Sequence, residues 1–180
     1  MQKSVLSLGW ILAGMVALGC ASGTASATIN GLYTGGELGY GNIDNSTGNV
    51  FPFTSSTSND GLAGRLLAGY QFNKYISAEG GWGFQEQSFL KATNQYDFDL
   101  EAKGTWPITQ TFSVFGKLGG AYVNQSFSGT TNDGVRPLYG LGVGYDMTPK
   151  VNTTLSWTRI VGGGSIQDSN FVMLGAAYHL

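Results

Sequence analysis

The sequence predicts an all-β fold, an eight-stranded antiparallel up-and-down β-barrel that spans a membrane, and three observations predict it. First, residues 96–106 alternate strictly: Asp97, Asp99, Glu101 and Lys103 share one face, while Tyr96, Phe98, Leu100 and Trp106 share the other. A period of two is the mark of an extended strand. Second, the same division recurs along the chain, and the face that repeats as a continuous apolar band has aromatic residues near its ends. In a soluble barrel that polarity would be reversed, with charges in water and apolar groups in the lumen, because a buried charge is costly unless paired. Apolar outside and charged inside therefore requires lipid around the barrel. Third, no apolar run beyond the leader approaches the roughly 20 residues of a spanning helix, so the membrane must be crossed by strands.

Composition agrees. A chain of 180 residues suits one domain, and 29 glycines, 13% aromatic and only 11% charged residues leave little ordinary solvated surface. A formal net charge of -2, with no basic stripe interleaved with aromatics, excludes a phosphate-backbone grip, so no nucleic-acid partner is expected.

Residues 1–27 read as a cleaved secretory signal peptide: Lys3 supplies the positive start, Val5 to Leu18 the apolar core, and Ala25-Ser26-Ala27 the cleavage site. Residues 28–180 are then the barrel. The alternative, a lipoprotein signal at Ala17-Leu18-Gly19-Cys20, places its leucine one position out of register. Cleavage after Ala27 removes Cys20, the single cysteine, and with it any disulfide, thiolate metal site or cysteine nucleophile.

The strands follow in order, each with a lipid face and a lumen face. The first, 32–41, sends Leu32, Leu38 and Tyr40 outward and Glu37 inward. The second, 62–72, sends Leu66, Tyr70 and Phe72 outward and Arg65 inward. The third, 75–86, has Ile76, Trp82 and Phe84 against Glu79. The fourth, 96–106, is the one described above. The fifth, 111–124, has Phe112, Val114, Leu118 and Tyr122 against Lys117. The sixth, 136–146, carries Tyr139, Leu141, Val143 and Tyr145; the seventh, 151–160, Leu155 and Trp157; the eighth, 171–180, Val172, Leu174 and Tyr178. Arg159 alone breaks the apolar face, at a strand end where a long side chain is expected to snorkel to the headgroups. Short turns at 73–74, 106–110 and 147–150, two of them with prolines, are expected at the periplasm. Longer connections at 42–61, 87–95, 125–135 and 161–170 are expected to face outward from the cell.

Several segments resemble the transmembrane domain of the outer membrane protein A family in order and spacing: residues 32–40 (LYTGGELGY), Ala68-Gly69-Tyr70-Gln71-Phe72-Asn73, Trp106-Pro107-Ile108-Thr109, Lys117-Leu118-Gly119-Gly120, Gly142-Val143-Gly144-Tyr145 and residues 174–178 (LGAAY). The resemblance spans nearly all of residues 28–180. It implies an eight-stranded barrel of the bacterial outer membrane, its lumen blocked by an ionic network and its partners lipid, lipopolysaccharide and the barrel assembly machinery. It covers the barrel alone, so no peptidoglycan-binding domain is expected, and Leu180 stands where such barrels usually end in an aromatic residue.

The lumen holds the chemistry. Parity turns Glu37, Arg65, Glu79, Asp97, Asp99, Glu101, Lys103 and Lys117 inward, five acids against three bases. The resemblance implies that Glu79 and Lys103 belong to a gating set completed by a second glutamate and an arginine, but the matching positions hold Gly144 and Thr154. Glu79 is expected to pair with Lys103, with Arg65, Glu101 and Lys117 reorganising around the vacancy. The result is either a closed plug or a narrow cation-preferring path. A catalytic reading fails on the residues: the only histidine, His179, stands at the foot of the last strand, and no Ser-His-Asp set, metal-ligand cluster or phosphate loop can be assembled. No cofactor or metal is expected. Asp133 and Asp168 read as isolated loop acids, and the Asn-x-Ser/Thr matches at Asn45, Asn124 and Asn152 as chance. In the first outer loop, Phe51-Pro52-Phe53 is an apolar island with two readings: a contact point for an extracellular ligand, or two aromatics of a hydrophilic cap folded onto the rim. The expected function is a structural or adhesin-like barrel, monomeric, with a low-conductance pore as the competing class.

Overall fold

The computed structural model describes residues 30–44, 59–87, 94–127, 130–163 and 166–180. The signal peptide and Phe51, Pro52 and Phe53 lie outside the described residues. Eight strands form one closed ring: β1 (Gly31–Asp44), β2 (Asn59–Asn73), β3 (Ile76–Gln87), β4 (Asn94–Pro107), β5 (Phe112–Phe127), β6 (Thr130–Thr148), β7 (Val151–Ile160) and β8 (Asp168–His179). Every strand pairs antiparallel with its sequence neighbours, and β1 closes on β8 with Thr34 opposite Tyr178 and Leu38 opposite Leu174. Closure leaves no backbone edge in lipid, where an unpaired amide has no water to bond.

The short turns share one device. Asn73 Oδ1 accepts the amides of Tyr75 and Ile76 at 2.8 and 3.1 Å, Thr109 Oγ1 that of Phe112 at 2.9 Å, and Thr148 Oγ1 that of Val151 at 3.0 Å. A side-chain oxygen thus satisfies a donor freed where each ladder reverses. Register shifts between Gln71 and Asn73 and between Asp146 and Thr148 lie beside two of these turns, so the ladders deeper in the wall keep their frame.

The outward face is apolar all the way round. Leu100, Leu118, Trp106 and Phe98 are 61–70% exposed, and Tyr70, Phe72, Tyr75, Trp106, Tyr145 and Tyr178 cluster toward the short-turn end. Apolar surface that is continuous around a barrel far exceeds what a soluble monomer leaves to water.

Three expectations about the loop end are corrected. The 125–135 connection is mostly ladder, since β5 and β6 pair out to Phe127 opposite Thr130. Asp133 accordingly sits on β6, where it accepts the Tyr122 hydroxyl at 2.6 Å. Asp168 begins β8 and is no isolated acid either: it binds Arg159 Nη2 at 2.5 Å and the Gly162 amide at 2.6 Å. Arg159 is 6% exposed. Instead of snorkelling it is buried against Asp168, because a nearby carboxylate offers its guanidinium a charge-assisted bond.

Candidate functional site in the barrel lumen

Inside the wall three layers stack along the axis. At the loop end lies an apolar layer of Ala63, Ala121, Val123, Leu138, Ile160, Ile166, Phe171 and Met173. All but Ile166 stand on lumen-facing strand positions; Ile166 enters from the β7–β8 connection through a bridge with Gly163, whose carbonyl accepts Arg136 Nη2. At the short-turn end is an open polar vestibule of about 650 Å³, lined by Tyr33, Gln71, Lys103, Asn152 and His179 among others. Between them lie the charges.

Arg65, on β2, is the hub. Its Nε and Nη2 grip Asp99 Oδ2 and Oδ1 at 2.9 and 2.5 Å, Nη2 also reaches Glu101 Oε1 at 2.9 Å, and Nη1 reaches Glu37 Oε2 at 3.3 Å. Glu79 Oε2 lies 3.7 Å from Nη1. One planar guanidinium with five donors thereby serves four carboxylates on β1, β3 and β4, a reach that a lysine ammonium lacks. Lys103 Nζ donates to Glu79 Oε1 at 2.8 Å, and the Tyr33 hydroxyl donates to the same oxygen at 2.7 Å. Lys117 Nζ lies 3.3 Å from Glu101 Oε1 and 3.9 Å from Glu37 Oε1. The structure therefore brings seven of the eight inward charges into one ion-paired cluster. Asp97 stands apart, buried on β4 with no salt bridge to a described residue.

Glycines make room for these groups. A Cβ on Gly81 would strike Arg65 Nε and Asp99 Oδ2, one on Gly83 the Asp97 carboxylate, and one on Gly175 the Glu37 Cγ. Gly69 and Gly142 do the same for the rings of Tyr33 and Phe115. Phe115 in turn carries Lys103 Nζ over its face, 4.6 Å from the centroid. The lumen is thus filled by large side chains set against absent ones, as expected of a barrel this narrow. Parity alone missed this complementarity, although the signal was present: most of these glycines share the inward parity of the charges.

Chemically the cluster pairs its charges with one another, and it contains no histidine, no nucleophile and no open reacting position beside a base. Among the described residues no group of three or more His, Cys, Asp or Glu side chains is arranged to hold a metal ion.

Comparison with known proteins gives the site its setting. Residues 27–180 match the OmpA-like transmembrane domain family. Outer membrane protein A of Shigella flexneri is 29% identical over 199 residues, covering 99% of this chain but 56% of its own length, so this chain spans about half of that relative. Among solved structures, Neisserial surface protein A superposes with a TM-score of 0.61 at 16% identity, over 83% of this chain and 97% of its own. Ail of Yersinia pestis, solved with the heparin analogue sucrose octasulfate, superposes at 0.52 and 19% identity, over 84% of this chain and all (100%) of its own. At those identities the structural likeness speaks for the eight-stranded barrel fold, and the family match covers nearly the whole wall. The chain belongs to the OmpA-like transmembrane domain family and is an integral β-barrel of the bacterial outer membrane.

Proposed function

We propose that this protein is a non-catalytic structural barrel whose outer loops make surface contacts and whose lumen is held shut by the Arg65 cluster. The observation that carries this reading is the Arg65 guanidinium, buried and bound to carboxylates from three strands below a layer of packed apolar side chains that buried Gln85 and Asp97 interrupt. Water crossing the barrel would have to part both layers. Breaking one partner from a buried charge cluster costs several kcal/mol, so the closed arrangement dominates at rest. The surface role rests on the outer loops, where Phe51, Pro52 and Phe53 offer an apolar contact in a polar segment. That a barrel of the same fold, Ail, was solved with a heparin analogue supports looking for polyanionic or host-surface ligands there. Export through residues 1–27, insertion by the barrel assembly machinery and a monomeric state in lipid and lipopolysaccharide belong to the same reading.

A pore is the second reading. It is favoured by the polar vestibule, which leads to Lys103 and its partner Glu79, and by the excess of five acids over three bases among the inward charges of the lumen. Planar-bilayer recording of the refolded chain beside Glu79→Ala and Lys103→Ala separates the two. No current in any of the three, with folding verified by heat-shifted gel mobility, supports the closed structural barrel. Discrete cation-preferring steps that both substitutions alter would overturn it in favour of a gated pore. Deleting residues 51–53 and scoring cell adhesion tests the loop; unchanged adhesion would remove the surface role from that segment.

A further inference from the structure

At the short-turn rim of the barrel, exposed aromatic residues carry lysines. At the short-turn end, Lys74 lies in the β2–β3 turn and Lys150 in the β6–β7 turn, while the β4–β5 turn, residues 108–111, bears no charge. In a ring of eight strands these two turns stand four strands apart, on opposite sides of the barrel. Each ammonium sits over an exposed ring: Lys74 Nζ is 4.9 Å from the Tyr75 centroid and Lys150 Nζ is 5.5 Å from that of Tyr178. Tyr75 is itself braced by Trp106, with centroids 6.1 Å apart. A ring face steadies a cation without a charged partner, and neither lysine forms a salt bridge with a described residue. At the opposite rim the corresponding pair is Tyr122 with Asp133, an aromatic residue beside an acid.

We propose that Lys74 with Tyr75, and Lys150 with Tyr178, are two separate sites for the phosphate of an anionic phospholipid headgroup, one on each side of the barrel. Short turns of outer-membrane barrels face the periplasm, so both sites lie in the inner of the two leaflets. The aromatic rings set the depth, since Tyr and Trp settle where acyl chains meet headgroups. The ammonium then stands at the height of the lipid phosphate with the donors that point away from the ring free to bond it. Because both lysines stand in short turns, the recognition is confined to that leaflet.

The test uses barrel purified from the outer membrane and placed in phosphatidylcholine nanodiscs containing a minority of phosphatidylglycerol. Native mass spectrometry of the released barrel counts the lipids that stay bound. Two phosphatidylglycerols should be retained, each preferred about fivefold over phosphatidylcholine. Lys74→Gln and Lys150→Gln should each lose one, the double variant both, and arginine at either position should keep the lipid. Gel mobility with and without heating shows that the variants remain folded. Equal retention of the two lipids, or an unchanged count in the double variant, would overturn the proposal. So would displacement of the bound lipid by millimolar inorganic phosphate, which would reassign the sites to free anions.

Discussion

Arg65 is a single side chain on which four carboxylates depend, and its removal differs in kind from removing one of them. Arg65→Ala leaves Glu37, Glu79, Asp99 and Glu101 with only Lys103 and Lys117 as cationic partners among the described residues. We expect a loss of roughly 3–5 kcal/mol of stability, read from urea unfolding in detergent or liposomes by gel mobility. Arg65→Lys should fall between the wild type and Arg65→Ala, because an ammonium keeps the charge but loses the forked grip on Asp99. The glycine sockets allow a sharper comparison. Gly81→Ala pushes a methyl into the Arg65 and Asp99 pair and should cost about 1–3 kcal/mol. Gly104→Ala, where a Cβ meets nothing within 4 Å, should be close to neutral in the same assay. At this scale the sequence spoke clearly about direction and poorly about partnership. Alternation placed Glu37, Arg65 and Lys117 in the lumen, but which carboxylates Arg65 reaches depends on the side-to-side register of β2, β3 and β4 and on the space at Gly81, neither of which is a property of one strand.

Among the elements, legibility followed the strength of the alternation. β7 was read with its observed bounds, and β4 within two residues at the start and one at the end. The β5–β6 hairpin was not, because Gln125 to Val135 is rich in polar and glycine residues that resemble a loop, while the ladder hydrogen bonds that extend it are indifferent to side-chain polarity. The Arg159 and Asp168 pair was missed for a related reason: its members are separated by a connection whose folding period-two reasoning cannot follow. Arg159→Ala strands Asp168 at a buried position and should cost about 2–4 kcal/mol, whereas Arg159→Ala combined with Asp168→Asn should recover part of it, a double-mutant cycle that isolates the pair. The turn staples are expected to be weaker. Asn73→Ala and Thr148→Ala each remove acceptors for turn amides at a surface position, at about 0.5–1.5 kcal/mol apiece by the same unfolding assay.

For the whole molecule, the main lesson is the division of the lumen into three layers. The charged middle was legible from parity. The apolar layer at the loop end was equally available, since Ala63, Val123, Leu138, Ile160, Phe171 and Met173 alternate inward, yet apolar residues in such a barrel invite assignment to lipid. Ile166→Asp puts a charge into that layer and should speed amide hydrogen exchange at the loop ends of β5 to β8 while leaving the turn ends protected. Closure of β1 on β8 has a further consequence, for the reading frame of the ring. In a closed sheet the strand offsets must add up to one fixed total on going once around, so a slip at any ladder has to be made good elsewhere. Deleting one residue inside a strand would reverse the facing of everything between that point and the next turn, delivering carboxylates to lipid and leucines to the lumen. The two irregular steps beside the turns at Asn73 and Thr148 are where such a change is absorbed most cheaply. Length variation among descendants of this chain should therefore accumulate at the rims, while the interior of each strand keeps its count.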